Sequence, residues 1–191
     1  MLDLGEAVGQ RLAALGRERE RGRGLGDRQR DGARVVVAAA PGQALPELPA
    51  GVVRVDDPER LAGVAGPLAG IVAGLEWLVA AGVAEALLTS CDAVALTPTH
   101  VRFMLAQLDA HPHASGVVPC EGELVHPLAA ALRCAPALAR ARVQLDAGEL
   151  RLRSWADAFE RVPAHALPDP RVLLPCNTPA QWQALTSTRT P

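Results

Sequence analysis

Three places in this 191-residue sequence carry residue types whose order could build a site for phosphate and a metal ion. Asp56 and Asp57 close a short β-branched run. Gly66, Pro67, Leu68, Ala69 and Gly70 then open an apolar stretch, where a helix start rich in small residues can bring free backbone N–H groups to an anion. Asp92 directly follows a second apolar run. A carboxylate there can hold Mg²⁺, which takes one or two protein carboxylates and completes its shell with water and phosphate oxygens. Each feature also has a structural reading. A strand-end aspartate serves as an N-cap or turn residue, and a glycine-rich helix start permits close packing. The succession of aspartate, glycine-rich helix start and strand-end aspartate points to a nucleotide–Mg²⁺ site.

The composition narrows the chemistry. An apolar fraction of 49%, 21% charged residues and a formal charge of −2 describe an ordinary soluble chain. They lack the basic excess that nucleic-acid binding needs. All 19 positive charges are arginine, which excludes a Schiff-base or phosphate-loop lysine. Cys91, Cys120, Cys134 and Cys176 form no CxxC pair and read as reduced thiols of a cytoplasmic protein, with no secretory signal at Met1. The apolar stretch 61–84 contains one charge, Glu76, but it is periodic. Leu68, Ile71, Val72, Leu75, Leu78 and Val79 mark one helical face, with Ala69, Ala73, Gly74 and Glu76 off it, so the segment reads as a packed helix and not a membrane span.

The elements needed to position these residues follow from the pattern. Buried strands are expected at 35–40, 52–55, 85–90, 116–119 and 128–132. Helices are expected at 67–81, from Pro98 through Leu108, at 136–146 and 154–160, and after Pro179. Ahead of them, Val8, Leu12 and Leu15 line a short helix. The arginine- and glycine-rich stretch 16–34, interleaved with Glu18, Glu20, Asp27 and Asp31, reads as a solvated loop or insertion. Alternation of strand and helix predicts one three-layer, Rossmann-like α/β domain over 1–191, with a mostly parallel sheet and ligands at the C-terminal strand ends.

Gly66-PLAG-IVAGLEWL, then LLTS-Cys91-Asp92-Ala93, then Glu123-LVHPLAAAL, then Cys176-Asn177-Thr178-Pro179 resemble the ordered signatures of the molybdenum-cofactor guanylyltransferases, within the MobA-like nucleotidyltransferase superfamily. The match runs from about residue 34 to 187. The resemblance implies transfer of GMP from GTP to a molybdopterin-type cofactor, with Mg²⁺ and release of pyrophosphate, and molybdoenzymes or their chaperones as further partners. It assigns catalysis and metal binding to Asp92, and nucleotide binding to Asp57 (or Asp56), Gly66, Pro67, Leu68 and Asp92. Gly70, His126, Pro127, Asn177 and Thr178 fall to the cofactor side, His126 on a strand.

The family's opening strand and its LAGGxSxRMGxDK loop have no counterpart here, so the first strand is expected to be missing or replaced by the N-terminal helix. Pro175 stands where the first Asn of NxNTP would be, and Ala38–Ala40 where a polar residue is usual. Two alternatives stay open: a non-catalytic relative that binds pterin cofactor or an apo-molybdoenzyme, and a cytidylyl or sugar-phosphate nucleotidyltransferase. A monomer or weak homo-oligomer, with no nucleic-acid or membrane partner, is expected. His111 and His113 read as a solvated turn, Trp77, Trp155 and Trp182 as packing residues, and Cys91 as a buried neighbour of Asp92.

Overall fold

The computed structural model describes residues 12–17 (backbone), 34–58 and 66–186. Val8, the 18–33 part of the arginine-rich stretch and residues 59–65 lie outside the described residues. Among those described, the β-branched and aliphatic runs form strands. They are β1 (Leu12–Arg17), β2 (Arg34–Ala39), β3 (Val52–Asp56), β4 (Glu85–Ser90), β5 (Gly116–Glu121), β6 (Leu124–Val125), β7 (Ala131–Arg133) and β8 (Glu160–Pro163). The helices are α1 (Gly66–Ala80), α2 (Pro98–Ala110), α3 (Cys134–Asp146), α4 (Leu152–Ala156) and α5 (Pro179–Thr186).

All eight strands join one sheet in the order β3-β2-β1-β4-β7-β5-β6, with β8 added on β5. The expected helix through Leu12 and Leu15 is instead strand β1, inserted antiparallel between β2 and β4. A strand therefore fills the place where the first strand was expected to be missing. The sheet is mostly parallel in strand direction, since β2, β3, β4, β5 and β8 all point the same way. Only β2–β3 and β5–β8 touch in parallel, however, because β1 and β7 are interleaved antiparallel. The expected strand at 128–132 divides into a 3₁₀ turn, Pro127–Ala129, followed by β7. Pro127 has no N–H for a ladder, which favours the turn.

Helices cover both faces. α1 lies against β1, β2 and β3 and packs on α3, while α2 lies against β4, β5 and β7. One core gathers Leu68, Ile71, Leu75 and Leu78 of α1 with Leu88, Val118, Leu138 and Trp155. The other joins Leu87, Met104, Leu108, Val117, Leu167 and Val172. α1 is buried more widely than its periodicity suggested: Ala69, Ala73 and Gly74 are buried as well, while Val79 is exposed. Glu76, off that face, ties α1 to α3 through Arg142 at 2.8 Å. Among the described residues, no helix is long and apolar enough to cross a membrane.

Arginine side chains close the helix ends. Arg133 donates to the carbonyls of Leu108 (2.9 Å), His111 (3.0 Å) and Ala114 (2.7 Å), at and just beyond the end of α2. Arg140 does the same for Ser154 and Trp155 at α4. Trp155 is fully buried, donates from Nε1 to Ala137 O at 3.2 Å and meets Phe159 edge-on. Trp77 is partly buried against the same core, and Trp182 is exposed. In β4, the Glu85 side chain is wholly buried, and its strand register sets it between Arg17 and Arg133. Burial first and Glu85 second push the Cys134 thiol up to about 12. None of the four cysteines is in a disulfide.

Replacing Arg133 with Met strands three helix-end carbonyls and should lower stability by about 2 kcal/mol, read from urea unfolding. His100, in the first turn of α2, is buried with Nδ1 unpartnered, and burial lowers its pKa from 6.5 despite the nearby Asp169. The unfolded chain then takes up this proton more readily than the folded one. Stability should fall with acidification below pH 6.5 and level off below the folded value. The His100→Leu variant should lose that slope in pH-dependent unfolding curves.

Candidate functional site

The strand directions bring Asp57 and Asp92 to one edge. Val55 of β3, Ala38 of β2, Leu12 of β1 and Ser90 of β4 stand in register across the sheet. Asp57 and Asp92 each follow that row by two residues, at the C-terminal ends of co-directional strands. Three strand spacings separate β3 from β4, which puts the two aspartates about 14 Å apart along the edge. At that separation they are too far apart to share one ion.

The adjacent aspartates at β3 have different surroundings. Asp56 is exposed and accepts from Arg54 Nε at 2.7 Å, while the rest of that guanidinium is spent on the carbonyls of Ala40 and Gln43. Asp57 is half-buried, and its backbone N–H bonds to Ala39 O at 2.9 Å. Its carboxyl makes no hydrogen bond or ion pair among the described residues. Burial, and then the neighbouring Asp56 charge, hold its pKa above 3.8. Of the two aspartates, the unengaged one is Asp57.

Asp92 lies in the turn after β4, half-buried, with Val94 N donating to its backbone carbonyl at 2.9 Å. The cap of α2 is Thr97, whose hydroxyl accepts from His100 N, so Asp92 is not needed as an N-cap. Its carboxylate has no protein partner among the described residues. Those residues contain no group of three or more His, Cys, Asp or Glu that could enclose a metal. A single unengaged carboxylate on an open edge suits Mg²⁺, which keeps several waters and shares phosphate oxygens, better than a metal that wants an all-protein cage. Cys91 beside it is exposed, contrary to the buried neighbour expected, because the strand has already ended and the chain has turned outward.

α1 starts at the same edge. Gly66 is exposed with φ +50, Pro67 is half-buried, and Leu68 and Gly70 are buried in the helix's packing face. The positive φ at Gly66 is what lets the chain turn into the helix there. Leu68 and Gly70 thus anchor the turn, and of these four residues Gly66 and Pro67 are the two left accessible. Beyond Asp92, the Pro127–Ala129 turn packs on β4, and Leu88 N donates to Ala130 O at 2.8 Å. This sets His126 on the side of Asp92 away from Asp57. His126 sits just past β6, in the connection to the turn and not on a strand as expected.

Asn177 and Thr178 are exposed and start α5. Thr178 Oγ1 accepts from Gln181 N at 3.2 Å, and Gln181 Oε1 accepts from Asn177 N at 2.8 Å, close to a reciprocal capping box. Neither hydrogen-bonds to another candidate residue, and the structure does not join them to Asp92 or His126. The sequence reading passed over Glu121, whose Oε2 lies 3.4 Å from His126 Nε2. The spacing EGELVH, a two-residue hairpin loop that sets both side chains on one face, is the signal that points to it.

The family described as the MobA-like NTP transferase domain matches residues 25–162. No curated protein sequence matches the chain. Among solved structures, the molybdopterin-guanine dinucleotide biosynthesis protein A of Archaeoglobus fulgidus is similar with a TM-score of 0.54 at 14% identity. The alignment covers 71% of this chain and 67% of that one, a likeness of fold.

The raised Asp57 pKa has a stability consequence. The folded chain favours the neutral acid, so this group's contribution is intact below pH 3.8 and is lost as pH rises through the folded value. Asp57→Asn should therefore be at least as stable as the parent at neutral pH and should lose that part of the pH slope, as thermal unfolding across pH would show.

Proposed function

The chain belongs to the MobA-like NTP transferase family, and from that premise we propose that it is a cytoplasmic nucleotidyltransferase of molybdenum-cofactor biosynthesis, joining GMP from GTP to a molybdopterin-type acceptor. The observation that carries this reading is the order along one sheet edge: Asp57, then Asp92, then His126. A nucleotide laid along that edge reaches Asp57 with one end and presents its phosphates near Asp92. The acceptor then enters from the side of His126. Gly66 and Pro67 at the start of α1 face the nucleotide end.

In the transfer, a phosphate oxygen of the acceptor attacks the α-phosphorus of GTP. A new P–O bond forms, the bond from that phosphorus to the bridging oxygen breaks, and pyrophosphate leaves. Asp92 would hold Mg²⁺, whose charge neutralises phosphate oxygens when bound. The protein's own contribution is to fix both substrates in line along a rigid edge. The product is a dinucleotide cofactor for delivery to molybdoenzymes or their chaperones.

A second reading, a binding protein that keeps the fold without the chemistry, is favoured by Pro175 and Ala39, which stand where the family resemblance expects polar residues. Pyrophosphate release with GTP and molybdopterin separates the two. Release establishes the transferase, and cofactor binding without release establishes the binding protein. Asp92→Ala should abolish Mg²⁺-dependent GTP binding in calorimetric titration while leaving the unfolding midpoint nearly unchanged. Unaltered titrations would remove Asp92 from the metal role.

A further inference from the structure

His126 leaves the β5–β6 hairpin with its two ring nitrogens in different surroundings. Nε2 is enclosed by protein and lies 3.4 Å from Glu121 Oε2, without the alignment of a hydrogen bond. Nδ1 makes no hydrogen bond among the described residues and is not enclosed. The hairpin register accounts for the pairing. Glu121 stands opposite Leu124, Cys120 opposite Val125, and His126 N donates to Pro119 O at 2.9 Å. His126 is thus opposite Pro119, and Glu121, two residues on, is its diagonal neighbour on the same face. Gly122, with φ +58, makes the turn tight enough to hold that register.

We propose that Glu121 is a positioning residue for His126: its carboxylate keeps the ring proton on Nε2 and so turns the bare Nδ1 toward the phosphate of the acceptor. The inference deepens the transferase reading and rests on it for the identity of the acceptor. An ionised carboxylate only accepts hydrogen bonds, so the nitrogen facing it carries the N–H and the other keeps its lone pair.

A phosphate monoester loses its second proton near pH 6, roughly, and reaches the site partly as the singly protonated form. Nδ1 takes that proton from the phosphate oxygen, and no other bond changes. The new N–H then donates to the dianion, whose oxygen is the nucleophile for the α-phosphorus. Glu121 faces the resulting imidazolium from the Nε2 side, with the ring between it and the phosphate, so the two anions do not meet.

The test uses ring ¹H–¹⁵N spectra of the histidines in the full chain, with inorganic phosphate as the probe. The wild type should show His126 as the Nε2–H tautomer, and phosphate should move its Nδ1 resonance. Glu121→Ala should raise the share of the Nδ1–H tautomer, while Glu121→Gln, which keeps an acceptor oxygen, should not. In turnover, Glu121→Ala should lower kcat about tenfold and His126→Ala about a hundredfold, with GTP affinity unchanged. The double variant should be no worse than His126→Ala alone. An Nδ1–H tautomer in the wild type, or an Nδ1 resonance indifferent to phosphate, overturns the proposal. If no acceptor brings about release of pyrophosphate from GTP, the transferase reading fails by itself, and the tautomer and phosphate titrations still decide the Glu121–His126 pair.

Discussion

Backbone donors and acceptors in a sheet interior must find partners whichever way their neighbours run, and the whole architecture depends on how this chain meets that demand. β2 and β4 point the same way but never touch, and neither do β4 and β5. β1 and β7 enter antiparallel between them and satisfy both sides. The wedge strands let five co-directional strands deliver their C-terminal ends to one edge without a continuous parallel ladder. Glu85, wholly buried in β4, faces the register positions of Arg17 on one wedge and Arg133 on the other. A slip of either wedge by one residue would break that register and turn every side chain of the wedge to the other face.

The polar groups divide by task. Arg54, Arg133 and Arg140 are spent on backbone carbonyls, and Arg171 grips Asp169 with contacts of 2.8 to 3.1 Å that hold the Asp169 carboxyl below its usual range. Those side chains stiffen loop and helix ends. Among the described residues, the carboxylates of Asp57 and Asp92 and the Nδ1 of His126 have no protein partners, and all three lie on the edge where the co-directional strands end. On the proposed reading, these open groups would need no rearrangement of the structural arginines to meet a ligand.

The sequence made the β-branched strands, α1 and α2 legible because their periodicity, prolines and glycines agree with their packing. It misled at β1, where Leu12, Ala13, Ala14 and Leu15 are good helix formers. There the unfilled position between β2 and β4 outweighs local preference. It misled at α1, where a single stripe was read although the helix touches the sheet on one side and α3 on another, so that small residues off the stripe are buried too. Asp57 could not be told from Asp56 by type. Strand alternation offers the clue, since Arg54 and Asp56 share a face and pair there. The tie between Glu121 and His126 depends on a hairpin register that a list of motifs does not contain. Asn177 and Thr178 were read for their resemblance, and the local fold gives them a capping role as well.

The spacing of the two strand-end aspartates makes the sheet edge a measuring rod. A compact ligand could engage one carboxylate environment or the other but could not span both. Two weak fragments, one for each end, would bind independently of each other. Joined by a linker that spans three strands, they would gain affinity through effective concentration alone, and a shorter linker would gain nothing. A ligand engaging both ends would have its length set by the number of strands between β3 and β4, and the insertion of β1 is what sets that number.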